Sequence, residues 1–313
     1  MQLPVENPLV IITGPTAVGK TQLSFDLVKT FNGEIISADS RLFYRGLDIG
    51  TAKPTKTERR LVPHHLIDIA DPDETLSLAV FQQSVYSLCR QLWKQEKVPF
   101  LVGGTGQFIR AIMEGWVIPP QEPNFRLREE IEAWGAAIGP EALHQRLHII
   151  DQDAAEKIDA RNLRRTVRAL EVIFSTGKLF STQRQRRKRG IRYKVIGLNR
   201  DRHTLYQRID ERINQMFQDG FVDEVKALLE NGYDPQLPSL SAIGYKEVIT
   251  YLQRKMEMDE VIVLMKRRTR SYVRRQANWF KSDDPRIQWF EMDDNVESKI
   301  KDYIVSEYGW EYG

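Results

Sequence analysis

The chain has 313 residues, of which 41% are hydrophobic and 28% are charged, and its formal net charge is +3. These values are typical of a folded globular protein and argue against disordered and fibrous classes. The single cysteine, Cys89, excludes an internal disulfide and a cysteine-rich metal cluster. The first residues lack a signal-peptide pattern, and no apolar run approaches the roughly 18 residues that cross a membrane. We therefore expect a cytoplasmic protein with no membrane partner.

A phosphate-binding loop follows the first apolar run, residues 9–12. Residues 14–21 fit the pattern G-x-x-x-x-G-K-[ST], and apolar residues at helical spacing come next. The strand, loop and helix point the loop amides and the positive helix end at an anion. Lys20 is predicted to reach phosphate oxygens and Thr21 to ligate Mg²⁺, the alternative being an ordinary turn. The loop residues are Gly14, Pro15, Thr16, Ala17, Val18, Gly19, Lys20 and Thr21.

A second short strand at residues 34–38 ends in Asp39. Strand, helix and strand over 9–38 form a βαβ unit, whose sheet is predicted to be parallel. Because ligands gather at the carboxyl ends of such strands, we expect Asp39 beside the phosphate loop. Asp39 is predicted to hold a magnesium ion or to act as a general base, unless it only caps a turn.

A third strand end is predicted after a loop-dominated stretch, residues 40–72, and an amphipathic helix, residues 77–93. The apolar run 98–102 leads into Gly103-Gly104-Thr105-Gly106. Nucleotide hydrolases commonly carry an acidic residue here, and this chain does not. The glycines would allow close approach of a ligand and Thr105 offers a hydroxyl, although a plain strand-to-helix turn is the alternative.

The second half of the chain is predicted to be mainly helical. Residues 121–192 are interpreted as a helical insertion, with the core formed by 1–120 and 193–313. A strand at 193–198 resumes the core, and further helices are predicted at 205–230, 246–252 and 260–281, followed by a strand at 287–290 and a C-terminal helix. The predicted fold class is α/β, a P-loop NTPase-like parallel sheet flanked by helices, with an inserted all-helical subdomain.

Three basic clusters, at 161–168, 184–189 and 266–275, indicate a polyanionic partner. The alternative is a set of solvated charged faces. Aromatic side chains near the clusters could stack on bases or belong to the core; they are Tyr193, Tyr245, Tyr272 and Trp279. The adjacent His64 and His65 have no second ligand pair at metal spacing, so we assign them no chemistry.

Seven motifs occur in the order in which tRNA dimethylallyltransferases carry them, and the chain closely resembles that family over nearly its whole length. The segment 48–53, Asp-Ile-Gly-Thr-Ala-Lys, is more specific to the family than the phosphate loop. The motifs lie at 14–21, 36–40, 44–54, 101–106, 168–172, 242–247 and 275–280. The chain departs from many members at 159–162, where they carry His-Pro-Asn-Asp, and from some at Leu42, where they carry Gln.

The resemblance implies transfer of a dimethylallyl group from dimethylallyl diphosphate to N6 of the adenosine just 3′ of the anticodon. Residues 14–21 would then bind the diphosphate rather than ATP, with Mg²⁺ as cofactor at Thr21. Asp39 would accept the N6 proton, Thr105 would orient this region, and Arg212 would assist the leaving group.

The partner implied by the resemblance is the anticodon stem-loop of tRNA, with the target base extruded from its stack. No obligate protein partner is predicted, and we expect a monomer. The residues implied to contact tRNA are Asp39, Ser40, Arg41, Leu42, Thr105, Arg126, Arg164, Arg165, Thr166, Val167 and Arg168.

Two alternatives come from other classes of protein. The phosphate loop alone would favour an ATP-dependent kinase or NTPase that acts on or binds RNA. The basic clusters alone would favour a non-catalytic RNA-binding module.

Overall fold

The strands of the protein form one parallel sheet. The computed structural model describes residues 6–118, 124–183 and 190–309. The strand order across the sheet is β3-β2-β4-β1-β5-β6, and every pairing between these strands is parallel. The strands are β1 Pro8–Thr13, β2 Gly33–Ser37, β3 His64–His65, β4 Val98–Gly103, β5 Arg192–Asn199 and β6 Ile287–Glu291.

Helices occupy most of the remaining described residues. In the first part of the chain they are α1 Lys20–Thr30, α2 Lys56–Leu61, α3 Leu78–Lys94 and α4 Gly106–Met113. They continue with α5 Phe125–Ile138, α6 Pro140–Ile150, α7 Gln152–Ala155 and α8 Leu163–Thr176. After β5 come α9 Arg202–Gln218, α10 Phe221–Glu230, α11 Tyr245–Leu252, α12 Met258–Ala277 and α13 Val296–Tyr308. Within the described residues, none of these helices is both long and apolar enough to cross a membrane.

The chain divides into two compact units. One consists of Met1–Met113 and Gly190–Gly313 and contains the sheet; the other, Glu114–Arg189, contains α5 to α8. The predicted α/β class with a parallel sheet is thereby confirmed. The basic run predicted at 184–189 lies outside the described residues.

The sheet positions the loops that were predicted to form the site. Residues 9–12 of β1 are fully buried, as expected of a central strand covered on both faces. Thr13 of β1 pairs with Gly103 of β4, and Ser37 of β2 pairs with Val102 of β4. The carboxyl ends of three adjacent strands therefore lie in register.

The structure differs from the sequence predictions in two places. The stretch 40–72 contains the short helix α2, which a Thr55–Glu58 capping box stabilises, and the two-residue strand β3. The helix predicted over 205–230 is two helices, α9 and α10. Gly220 between them has φ 94°, a left-handed conformation that ends the first helix and that glycine adopts without strain.

The helical unit has its own hydrophobic core, centred on Leu143 and Leu147 of α6 and Val167 and Leu170 of α8, all of which are buried. Amphipathic helices with one apolar stripe each can build such a core without a sheet.

We predict that Leu143→Ala destabilises the helical unit selectively. Leu143 is fully buried, so truncation should leave a cavity that costs about 2–5 kcal/mol. Hydrogen exchange followed by mass spectrometry should show lost protection in α5, α6 and α8. Equal loss in the strands of the sheet would contradict an independent helical core.

Candidate active site

The phosphate loop surrounds the ammonium group of its own lysine. α1 begins at Lys20, and the Lys20 Nζ donates hydrogen bonds to the carbonyl oxygens of Gly14 at 2.9 Å and Pro15 at 2.8 Å. Burial lowers the pKa of Lys20 to about 8, against the opposing effect of Asp39. A cation is thus held inside the concave face of the loop.

A cavity of about 550 Å³, called here the donor cavity, opens next to this loop. Of the predicted loop residues, five line it: Thr16, Ala17, Gly19, Lys20 and Thr21. The side chain of Val18 is instead buried in the core, so Val18 can contribute only its backbone. The apolar part of the wall consists of Ile35, Leu42, Ala52, Pro54, Ile67 and Val102. The cavity therefore combines an anion-binding end with an apolar wall.

A second cavity of about 520 Å³, called here the acceptor cavity, contains the polar side chains predicted on the other side of the site. Ser40, Arg41 and Thr105 line it, and Thr105 Oγ1 accepts a hydrogen bond from the Ser40 N–H at 3.4 Å. The other residues that give it polar or aromatic character are Gln107, Tyr272, Arg275, Gln276 and Trp279.

Asp39 lines both cavities, as do Thr16, Ala17, Thr51 and Arg212. Asp39 follows β2, and its Oδ1 accepts the Arg41 N–H at 3.0 Å, which orients the carboxylate. One carboxylate therefore lines both cavities beside the phosphate loop.

Arg212 of α9 is the cation opposite Asp39. Its Nη1 donates to Thr16 Oγ1 at 3.5 Å and its Nη2 donates to the carbonyl oxygen of Thr51 at 3.2 Å. Burial lowers the pKa of Arg212 and Asp39 raises it, and an arginine in this setting stays charged. Arg212 thus contacts the loop expected to carry a diphosphate.

The segment 48–53 is fixed by charges on both sides. A carboxylate of α10, Glu224, accepts the N–H groups of three successive residues, Asp48, Ile49 and Gly50, at 2.9, 2.6 and 3.2 Å. The buried Lys53 donates at 2.6 Å to Asp68 and forms an ion pair of 2.6 Å with Asp48. This segment therefore presents the Thr51 carbonyl to Arg212 from a rigid support.

The glycines at the third strand end make room for side chains of the protein itself. A Cβ at Gly104 would lie 2.4 Å from Gln276 Nε2, and a Cβ at Gly106 would lie 2.2 Å from Trp279 Cγ. Side chains from the end of α12 and just beyond it occupy that space. Gly104 and Gly106 also line the acceptor cavity, so close approach of a ligand to them stays a prediction.

Several residues of the site were not predicted. Arg208 Nε donates to the Ala17 carbonyl at 2.9 Å, and it lies four residues before Arg212 on the same face of α9. That spacing is a signal in the sequence. His64, to which we assigned no chemistry, lines the donor cavity, and burial lowers its pKa. Nothing local in the sequence marks His64 as a cavity residue.

The residues predicted to contact tRNA fall into different settings. Arg126, Arg164 and Arg165 of the helical unit are exposed. Arg168 instead forms an ion pair of 2.8 Å with the buried Glu171, which also holds Arg128.

Four other residues predicted to contact tRNA lie in other settings. The side chains of Thr166 and Val167 are buried because they face the interior of the helical unit, so no side-chain contact with tRNA is available there. Leu42 lies on the donor side. Arg41 is tied by its Nη1 to the carbonyl oxygens of Pro238 and Ser239 at 2.8 and 3.1 Å.

Comparison with known proteins identifies the family of this chain. The family model described as IPP transferase matches residues 42–283. The chain belongs to the IPP transferase family. It is 47% identical over 288 residues to a tRNA dimethylallyltransferase of Herpetosiphon aurantiacus. The aligned residues cover 92% of this chain and 91% of the relative.

Solved structures extend the comparison to the fold. The full-length tRNA isopentenylpyrophosphate transferase of Bacillus halodurans is 40% identical, with a TM-score of 0.72 and 97% of each chain covered. A eukaryotic dimethylallyltransferase captured acting on tRNA is 28% identical, with a TM-score of 0.81 over 96% of this chain and 79% of that one.

Family membership confirms the resemblance to tRNA dimethylallyltransferases. It also confirms the predicted prenyltransferase function and the P-loop NTPase-like fold, and it favours that function over a kinase or NTPase. An IPP transferase needs one site for a prenyl diphosphate and another for its acceptor. The two cavities, which share Asp39 and Arg212, are the candidates for these two sites.

We predict that pyrophosphate binding to this IPP transferase weakens as the pH rises through about 8, the pKa of Lys20. Below that pH the free enzyme already carries the ammonium that pairs with the anion. Above it, binding must include uptake of a proton, because a bound anion raises the lysine pKa. Titration calorimetry should give a wild-type to Lys20→Met affinity ratio that falls with pH. A constant ratio would show that Lys20 does not titrate in this range.

Proposed function

We propose that this chain transfers a dimethylallyl group from dimethylallyl diphosphate to N6 of the adenosine just 3′ of the anticodon in tRNA. The observation that supports this best is the position of Asp39, whose carboxylate lines both a cavity bounded by a phosphate loop and a second, separate cavity. The names of its relatives, tRNA dimethylallyltransferases, support the same reaction.

In the donor cavity, the diphosphate lies against the amides of residues 14–21. As the bond between the prenyl carbon and the diphosphate oxygen breaks, negative charge grows on that oxygen. Lys20 and Arg212 stabilise the growing charge, since both are cations held by burial and hydrogen bonds before the substrate arrives. The apolar wall around Ile35 and Ile67 excludes water from the prenyl group.

Thr21 would hold Mg²⁺ through its hydroxyl, beside the place proposed for the diphosphate. The donor set fits this ion, because Mg²⁺ is usually bound through few protein ligands and the substrate's own oxygens. Among the described residues, no group of three or more His, Cys, Asp or Glu side chains could form a metal site without the substrate. When bound, the ion supplies further charge stabilisation for the departing diphosphate.

In the acceptor cavity, the adenine would enter as an extruded base, because its N6 is inaccessible while the base is stacked. N6 attacks the prenyl carbon, the new C–N bond forms, and Asp39 accepts the proton that N6 loses. Thr105 orients this region through its contact with the Ser40 backbone. Tyr272 and Trp279 provide aromatic surface for the base.

The exposed Arg126, Arg164 and Arg165 of the helical unit would bind phosphates of the anticodon arm. The tRNA would be met in the cytoplasm, and the chain needs no further protein partner for the reaction.

The proposed function is tested by incubating the protein with labelled dimethylallyl diphosphate, Mg²⁺ and unmodified tRNA. Labelled tRNA formed without ATP, with the label on the adenosine 3′ of the anticodon, is the expected result. A tRNA with guanosine at that position is the matched control and should stay unlabelled. ATP turnover without labelling would overturn the proposal.

We predict that Asp39→Asn lowers the transfer rate about 10²-fold or more, because the amide cannot accept the N6 proton. The tRNA affinity should change little, since the side chain keeps its size and its contact with the Arg41 N–H. Single-turnover kinetics and filter binding measure the two quantities. An unchanged rate would remove Asp39 from the role of base.

We predict that Arg164→Glu weakens tRNA binding and makes its salt dependence shallower. The absolute value of the slope of log K against log salt should fall by about one. Arg146→Glu on α6 is the matched control, because it makes the same charge change at another exposed position of the same unit. Binding measured across a range of salt concentrations distinguishes the two variants. Equal effects would mean that net charge, and not a contact at Arg164, determines the affinity.

A further inference from the structure

One buried amide joins the two halves of the site. Gln276 lies near the end of α12, and its side chain is buried. Its Oε1 accepts the Thr16 N–H of the phosphate loop at 3.0 Å, and its Nε2 donates to the Gly104 carbonyl at 3.0 Å. Thr16 lines both cavities and Gly104 lines the acceptor cavity, immediately before Thr105. The sequences of the phosphate loop and of the Gly104 loop do not predict this link between them.

The chemistry of the two partners requires an amide. A backbone N–H can only donate and a carbonyl oxygen can only accept, so the bridging side chain must offer one acceptor and one donor at once. Glutamine does so. An ionised glutamate offers acceptors only and would place a negative oxygen against the Gly104 carbonyl, while methionine offers neither group.

Gly104, at the other end of the bridge, leaves the space that the Gln276 amide occupies. A Cβ there would lie 2.4 Å from Gln276 Nε2 and 3.4 Å from the Gly14 carbonyl, so a larger residue would displace the amide. The backbone of Gly104 does not adopt a positive φ, so lack of space, and not backbone strain, restricts which residue can stand there.

We propose that Gln276 is a positioning residue for prenyl transfer: it fixes the phosphate loop at Thr16 relative to the Gly104-Thr105 loop. This inference rests on the proposed function. The diphosphate is held by one loop and the acceptor amine is oriented by the other, so the spacing of the loops determines whether the amine faces the prenyl carbon. A displacement of about 1 Å between reacting groups can cost about 10²-fold in rate.

Loss of the bridge affects kcat more than the binding of either substrate. Gln276→Met keeps the length of the side chain and removes both hydrogen bonds. We expect kcat to fall about 10- to 100-fold, with the KM for each substrate changing less than about threefold, because alignment is lost while the binding surfaces remain. Equal loss of affinity for donor and tRNA would instead indicate general damage.

Gln276→Glu gives a sharper test, because protonation restores the missing donor. The protonated carboxyl can accept from Thr16 N–H and donate to the Gly104 carbonyl, as the amide does. Burial and the facing carbonyl raise the pKa of such a carboxyl. The ionisable side chains that share the acceptor cavity with it are Asp39, Arg41, Arg212, Tyr272 and Arg275. The neighbouring arginines favour the ionised form and Asp39 opposes it.

The experiment measures kcat and both KM values for wild type, Gln276→Met and Gln276→Glu across a range of pH, at substrate concentrations that extend from below to well above each KM. The expected result is a Gln276→Glu to wild-type ratio of kcat that rises as the pH falls, while the Gln276→Met ratio stays constant. Taking the ratio removes the pH dependence that all three proteins share. Parallel ratios for the two variants would overturn the proposal.

A double-mutant cycle keeps the test independent of any single variant. Gly104→Ala should reproduce the kcat defect by displacing the amide, and the combined Gly104→Ala and Gln276→Met protein should be little worse than either alone. Additive defects would contradict a shared contact. Thermal denaturation of each protein identifies any variant that fails to fold. The kcat values of the variants that do fold then test the proposal.

Failure of this inference and failure of the proposed function give different results. If wild type does not label tRNA, the function is wrong. If wild type labels tRNA and all four variants have the same kcat as wild type, the function stands and the positioning role of Gln276 is wrong.

Discussion

The pairing of β4 between β1 and β2 is the constraint on which the rest of the site depends. Parallel strands present their carboxyl ends at one edge of the sheet, so the loops that follow β1, β2 and β4 must meet there. This places the phosphate loop, Asp39 and Thr105 side by side. A change in strand order would separate the carboxylate from the anion site, whatever the sequences of the loops.

The charged groups at this edge are held in place before any substrate binds. Lys20 and Arg212 are partly buried cations, Asp39 raises the pKa of both, and the carbonyls of Gly14, Pro15 and Thr51 accept their hydrogen bonds. Groups held in this way need little reorganisation when charge develops on a leaving oxygen, which is the basis of electrostatic catalysis. Long-range contacts provide the rigidity: Glu224 of α10 receives three amides of the segment 48–50.

The differences between prediction and structure share a cause. Local patterns predicted the phosphate loop, the position of Asp39 at a strand end and most of the helices, because spacing and turn residues act within a few positions. The glycines at 104 and 106 are predicted from the sequence to allow close approach of a ligand, and the structure adds that they make room for Gln276 and Trp279, which lie about 170 residues later in the chain. Val167 and Thr166 were grouped with exposed arginines although their side of α8 faces the core.

The sequence by itself determined the chemistry that each short segment can perform: an anion-binding loop at 14–21, a carboxylate after β2 and a hydroxyl after β4. Family resemblance added the reaction. Only the tertiary structure decided which segments touch, because contacts such as Gln276 with Thr16 and Gly104 join parts of the chain that no local pattern relates. The two cavities and the carboxylate they share exist only after the sheet has brought these segments to one edge.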